Sequence, residues 1–356
     1  MENKVNKKIF VGVMIIFVFI IGYVSNLIAA SPNKTFQWKM QTIWSSSMGF
    51  YKETQRFCKN VYTASGGRLK ITPFPAGGII GAFEAFDGVS QGVVEMANTT
   101  PVYWSGKEIG LNLLGVWPFG LTKEEYIMWL YYGGGIELAE KYYSKHNIKW
   151  NPAMIPGVEL GGFSTSPIKC LNDLKGKKMR MGGSAAGAEI LSELGVSIVR
   201  IPGGEVYSAL NTGVLDAAEW SSPDETWPLK FHEVAKYIFM PGWHQLSTVT
   251  DFMININAWN SLPEDLKSIL KTAMDESVFQ GTYSSEYNNI DAIKKFIDYG
   301  VTIYTFPRED LLLLKSKSEQ KKVQYAEKSP YFAEIDKSQK KFLSGYKKWL
   351  DFSKFE

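Results

Sequence analysis

Two stretches of the chain repeat one order of hydrophobic and polar positions. Residues 66–101 run GGRLKITPFPAGGIIGAFEAFDGVSQGVVEMANTTP, and residues 195–223 run GVSIVRIPGGEVYSALNTGVLDAAEWSSP. In each, a β-branched run leads through a Pro/Gly-rich turn into an amphipathic helical segment. A Gly-Val break, a short apolar strand and a polar loop closed by proline follow. Strand, helix and strand over this length make a βαβ unit, which requires parallel strands. Two such units set far apart predict two similar α/β lobes. Ligands of open α/β sheets lie at the carboxyl ends of the strands, which directs attention to loops 97–104 and 217–225.

The remaining pattern supplies connections. Residues 35–43 alternate as a first strand, and residues 48–64 carry Phe50, Tyr51, Phe57, Val61 and Tyr62 at helical spacing. Ser65-Gly66-Gly67 ends that helix. Residues 123–143 read as helix interrupted at Gly133-Gly134-Gly135. Residues 149–162, with Pro152 and Pro156, read as a strand-like crossover between lobes, and 251–257 as a second one. From Leu262 to about residue 292 the chain is strongly helical, and the Lys-rich remainder is mainly helical. Two or more crossovers make a hinge, and a hinge permits closure.

Composition narrows the class. The chain has 356 residues, 45% hydrophobic and 21% charged, which suits a globular protein of two domains. A net charge of +3 without a basic stripe excludes a nucleic-acid partner. Lys4, Lys7 and Lys8 precede an uncharged apolar run from Ile9 to about Ala30, so residues 1–31 read as a signal peptide or retained membrane anchor. The rest of the chain is therefore expected outside the cytoplasm. Cys58 and Cys170 fall in separate predicted elements and are expected to be free thiols.

A few residues stand out chemically. Arg180 ends an apolar strand before Gly182-Gly183, and a buried guanidinium needs an anion, either an internal acid or a ligand carboxylate. Glu219-Trp220 follows the apolar run 213–218, where the acid suits a hard cation and the ring suits a pocket wall. Glu159, between Val158 and Leu160, is a second acid in apolar surroundings. His146 and His232 read as surface residues, whereas His244 would line a pocket if the loop PGWHQ faces the crevice. No P-loop, dinucleotide fingerprint or GxSxG is present, so no catalytic residue is assigned.

Longer motifs carry a resemblance. SGGRLKITPFPAG (65–77), FEAFDGVSQGVVEMANTTPVYWSGK (83–107), LYYGGGIELAEKYY (130–143), LKGKKMRMGG (174–183), PGGEVYSALNTGVLDAAEWSSPDE (202–225) and PGWHQ (241–245) resemble the periplasmic solute-binding subunit of TRAP transporters, the DctP family. Within it, the α-keto-acid and related monocarboxylate binders are most similar. The resemblance implies a two-lobe α/β receptor with a long bridging helix. Lobe I would take 32–157 plus about 250–290. Lobe II would take 158–249 plus about 291–356, with the C-terminal helices. It implies that Arg180 clamps a ligand carboxylate, and that Trp220, Tyr103, Asn98, Trp243 and Glu159 complete the ligand site. Glu219, Glu159, Trp220 and Gln245 would hold a metal ion.

One departure matters. The keto-acid binders usually carry glutamine in GVQMGG, where this chain has Glu159 in GVELGG. Glu159, Glu219 and a ligand carboxylate make three negative charges, which Arg180 and a divalent ion balance. Calcium is therefore expected over sodium. The implied function is extracytoplasmic binding of a small 2-oxo or 2-hydroxy acid and delivery to TRAP permease subunits, with a homodimer as one arrangement. A solute-sensing receptor and a metal-dependent enzyme are the alternatives.

Overall fold

The computed structural model describes residues 34–353, and the segment 1–31 read as an export signal lies outside the described residues. Among the described residues, eleven strands form two sheets. The first contains β1 (Phe36–Thr42), β2 (Leu69–Phe74), β3 (Met96–Thr99), β4 (Ile148–Pro152) and β10 (Asp251–Asn255), in the order β2-β1-β3-β10-β4. The second contains β5 (Gly162–Ser164), β6 (Lys178–Arg180), β7 (Ser197–Val199), β8 (Ala217–Ala218), β9 (Tyr237–Met240) and β11 (Thr302–Thr305), in the order β11-β9-β5-β8-β6-β7.

From its β7 edge, the second sheet repeats the first. β1 lies between β2 and β3, and β6 lies between β7 and β8, all in parallel register. Each βαβ unit of the sequence thus straddles a strand. The fourth strand of each sheet, β10 or β5, runs antiparallel and enters from the other lobe.

Helices cover the sheets by ordinary burial periodicity. In Gly49–Ala64, Phe50, Tyr51, Thr54, Phe57, Cys58 and Val61 face inward, a stripe at helical spacing. The segment read as one helix over 123–143 divides into Lys123–Tyr132 and Gly135–Tyr143, where Gly134 takes a φ of 88°. Cys58 and Cys170 are free thiols.

Three connections join the sheets: residues 153–161, residues 241–250 and the 35-residue helix Glu264–Asp298, which leads into β11. The strand-like segment expected over 149–162 stops at Pro152, because proline at 152 and 156 removes ladder donors and leaves the crossing irregular. That crossing packs tightly on the long helix. Ile155 N–H donates to Thr282 Oγ1 at 2.8 Å, and a Cβ on Gly281 would lie 2.7 Å from Met154 Cβ. Helix Arg308–Lys328 packs on Ala185–Glu193 beside the second sheet, whereas Pro330–Ser353 packs on the helices from Leu111 to Tyr143 beside the first. No described helix is long and apolar enough to cross a membrane.

Candidate functional site

The carboxyl ends of the parallel strands meet the two irregular crossings. Arg180 is the last residue of β6, Glu219 and Trp220 follow β8, and Tyr103 lies in the 3-10 turn Pro101–Trp104 after β3. The first crossing contributes Glu159, and the second His244, Gln245 and Thr248. With Phe50, Thr100 and Ser221, most of these side chains enclose a cavity of about 40 Å³.

Arg180 is buried and tied on three sides. Its Nη1 donates to the carbonyl of Glu219 at 3.0 Å and to Glu219 Oε1 at 2.8 Å, while Nε donates to the carbonyl of Ile201 at 3.3 Å. The sequence left an internal acid or a ligand open as its partner; Glu219 is such an acid, yet Arg180 still faces the cavity. The guanidinium lies 4.8 Å from the Trp220 ring centre, within cation–π range. Two glycines make this stacking possible. A Cβ on Gly182 would fall 1.8 Å from Arg180 Nη2, and one on Gly203 would fall 1.8 Å from the Trp220 ring.

Beside this pair, four buried acceptor-type atoms lack hydrogen-bond partners: Glu159 Oε2, Glu219 Oε2, His244 Nε2 and Gln245 Oε1. His244 Nε2 lies 3.8 Å from Glu159 Oε2 and 3.9 Å from Glu219 Oε2. The other halves of these groups are fixed. Glu159 Oε1 accepts from Gln245 Nε2 at 3.0 Å and from Thr248 Oγ1 at 2.8 Å, and Glu219 Oε1 accepts from Gly182 N–H. Burial, followed by the charge of Glu219, holds the Glu159 carboxyl well above the usual range. Burial also lowers the His244 pKa, so the ring is neutral at pH 7. Leaving such buried atoms unpaired is costly. Two carboxylates, an amide oxygen and a neutral imidazole form a donor set that fits a cation.

The ligand side is also incompletely bonded. Trp220 Nε1 and Ser221 Oγ are buried without partners, and both residues line the cavity. Tyr103 lines it too; burial raises the pKa of its hydroxyl, against the opposing pull of Arg180.

Two expected ligand residues are placed elsewhere. The Asn98 amide is consumed within the first lobe: Oδ1 accepts from Trp44 Nε1 at 2.6 Å and from Thr54 Oγ1 at 3.1 Å, and Nδ2 donates to the Asp251 carbonyl. Trp243 packs in the second-lobe core against Phe119, while the next two residues turn toward the crevice. His232 is not at the surface; it is buried and stacked on Trp227 at 4.1 Å. Thr248 and Phe50 had no distinguishing signal in the sequence.

Two hinged α/β lobes around a buried polar crevice define a solute-binding protein. Residues 40–328 match the DctP family, bacterial extracellular solute-binding protein family 7, and the chain belongs to that family. Its members are solute-binding subunits of TRAP transporters. A monocarboxylate 2-oxoacid-binding periplasmic protein of Nostoc sp. is 35% identical over 285 residues, 80% of this chain and 77% of its own. A TRAP solute-binding protein of Bordetella bronchiseptica, a dimer solved with copurified calcium and picolinate at one active site and the other apo, superposes with a TM-score of 0.86. It is 32% identical, over 90% of this chain and 95% of its own. A homologue from Pseudoalteromonas atlantica with bound sodium and pyruvate gives 0.84, also at 32% identity, over 91% of this chain and 100% of its own.

Proposed function

We propose that this protein binds a small 2-oxo or 2-hydroxy monocarboxylate together with a calcium ion in the crevice, outside the cytoplasm. Closure of the lobes then presents the acid to TRAP permease subunits, and the protein releases it unchanged. The observation that carries this reading is the cluster of unpaired acceptors on Glu159, Glu219, His244 and Gln245 beside Arg180. Glu159, Glu219 and the Gln245 amide oxygen would hold the ion, with the neutral His244 ring beside them, and the ion would supply positive charge next to the acid. Trp220, named in the sequence as a further ion ligand, serves in this reading through its ring, which walls the acid against Arg180.

Charge decides between the ions seen in the relatives. A cation bound at Glu159 displaces the proton that burial favours there. With His244 neutral, Glu159 and Glu219 against Arg180 then leave one negative charge, and a bound acid adds a second. A divalent ion cancels both, whereas sodium leaves a buried charge uncompensated. Micromolar affinity corresponds to about 8 kcal/mol, within reach of one charge-assisted pair and one ion contact freed from water by closure.

Titration calorimetry of chelator-stripped protein with pyruvate and with lactate, with and without calcium, tests this reading. Binding is expected to strengthen at least tenfold with calcium, about 1.4 kcal/mol, and to collapse in Arg180→Lys, whose ammonium lacks the planar fork. Equal affinity in the presence and absence of calcium would refute the ion's part. Unchanged affinity in Arg180→Lys would refute the clamp.

A further inference from the structure

Helix Gly49–Ala64 opens without a cap of its own. Met48 at its N-cap makes no side-chain bond, and no acid lies in the first turn. The first N–H groups of a helix need acceptors from elsewhere. One comes from the other lobe: Phe50 N–H donates to Glu225 Oε2 at 3.1 Å across 175 positions of sequence. Glu225 belongs to the short helix Pro223–Thr226 beyond β8 and is buried. Gly49 makes room for it, since a Cβ there would lie 2.4 Å from Glu225 Oε1.

The short helix is held in turn on the long connecting helix. Asp224 N–H donates to Asn289 Oδ1 at 3.0 Å, and Asp224 Oδ1 accepts from Ser285 Oγ at 2.9 Å. Both partners of the contact adjoin the ligand cavity. Phe50 lines it directly, and Trp220 and Ser221 line it just before the short helix begins.

We infer that Glu225 is a clasp between the lobes, formed on closure by capping the bare helix, and that it sets how tightly the organic acid is held. This rests on the binding function proposed above. Opening the crevice parts the two helices, so Phe50 N–H and Glu225 both return to water. A ligand gains from the closed form only what that form offers over the open one, and this bond is part of the difference. Asp224, Lys52, Glu53 and Arg56 share a pocket with Glu225, to which the long helix adds Gly281, Ser284, Ser285 and Asn288, and Glu276 of that helix pairs with Arg56. Burial, then the charge of Asp224, pushes the Glu225 carboxyl up to about 8. At neutral pH it therefore meets Phe50 largely as the uncharged acid, and glutamine keeps the acceptor it needs.

The test is calorimetry of pyruvate with calcium on wild type, Glu225→Ala, Glu225→Gln and Gly49→Ala, with the melting temperature of each ligand-free protein. Loss of one buried hydrogen bond predicts about tenfold weaker binding in Glu225→Ala and in Gly49→Ala. Glu225→Gln should stay within about threefold of wild type. The double variant Gly49→Ala/Glu225→Ala should bind no worse than either single one, because both break the same contact. Gly49→Ala should keep its ligand-free melting temperature, since alanine favours helix, whereas a merely structural role would lower it. Wild-type affinity in both alanine variants would overturn the clasp. So would a loss in Glu225→Ala matched by destabilisation of the ligand-free protein while Gly49→Ala binds normally. Failure of wild type to bind pyruvate would count against the proposed function alone. The clasp would then be judged by X-ray scattering of the ligand-free proteins: a more open Glu225→Ala supports it, and identical curves refute it.

Discussion

Trp220 is held by what lies behind it. Its ring is pressed between the Arg180 guanidinium and the backbone of Gly203, whose missing Cβ leaves the only room for the six-membered half of the indole. A methyl group at position 203 must push a rigid ring toward Arg180, into a cavity of about 40 Å³. Gly203→Ala should therefore weaken pyruvate binding about tenfold, and weaken bulkier 2-oxo acids more. Phenylalanine lacks the clashing atoms, so Gly203→Ala/Trp220→Phe should bind better than Gly203→Ala alone. Calorimetry of the four proteins checks it, and strictly additive losses would show that the two residues are not in conflict. At this scale the sequence exposed single residues more readily than their grouping. Arg180, Glu159 and Glu219 were legible because charge in apolar surroundings is conspicuous. His244 was read as a pocket residue but not as a neighbour of the two acids, since its partners at 159 and 219 come from distant segments and no ligand spacing links them. Asn98 and Trp243 misled for a related reason: proximity to a site loop does not say which way a side chain turns.

The repeated strand-helix-strand unit was legible because each copy carries its own turn glycines and helical periodicity. The strand between the two arms of each copy was not, because parallel neighbours leave no local mark on one another. Nor was the brevity of β8, reduced to Ala217–Ala218 where an apolar run over 213–218 suggested more. Strand β10 shows what joins such elements. Its first residue, Asp251, accepts from Thr99 Oγ1 of β3, from Trp150 Nε1 of β4 at 2.7 Å and from the Tyr143 hydroxyl at 3.3 Å. Burial nevertheless raises its pKa from 3.8 to about 6. The folded state therefore holds this proton more tightly than the unfolded chain does. Its stabilising effect is full below about pH 4 and is lost as pH rises through about 6, a change of about 3 kcal/mol. Asp251→Asn cannot titrate. The stability of wild type relative to this variant, from urea unfolding at pH 4 and pH 7, should fall by roughly that amount, and a constant difference would disprove the assignment.

On the scale of the whole molecule, the ion and the acid depend on different parts of the hinge. In the reading proposed above, Glu159 and Gln245 lie in the two irregular crossings and Glu219 in the second lobe, so the oxygen donors for the ion need no residue of the first lobe. Phe50, Thr100 and Tyr103, which wall the other side of the cavity, come from the first lobe. An ion can then be held before the lobes close, whereas the acid is enclosed only when they do. Such an arrangement couples the two ligands, because the ion supplies the charge that makes burying a second carboxylate tolerable, and the coupling must be reciprocal. A ligand at 100 times its dissociation constant stabilises the folded state by about 2.7 kcal/mol. In scanning calorimetry of chelator-treated protein, calcium alone should raise the melting temperature, and pyruvate alone should scarcely move it. The two together should raise it by more than the sum of their separate effects. A full shift with pyruvate alone, or strictly additive shifts, would mean that the acid does not need the ion and that Glu159 and Glu219 are neutralised some other way.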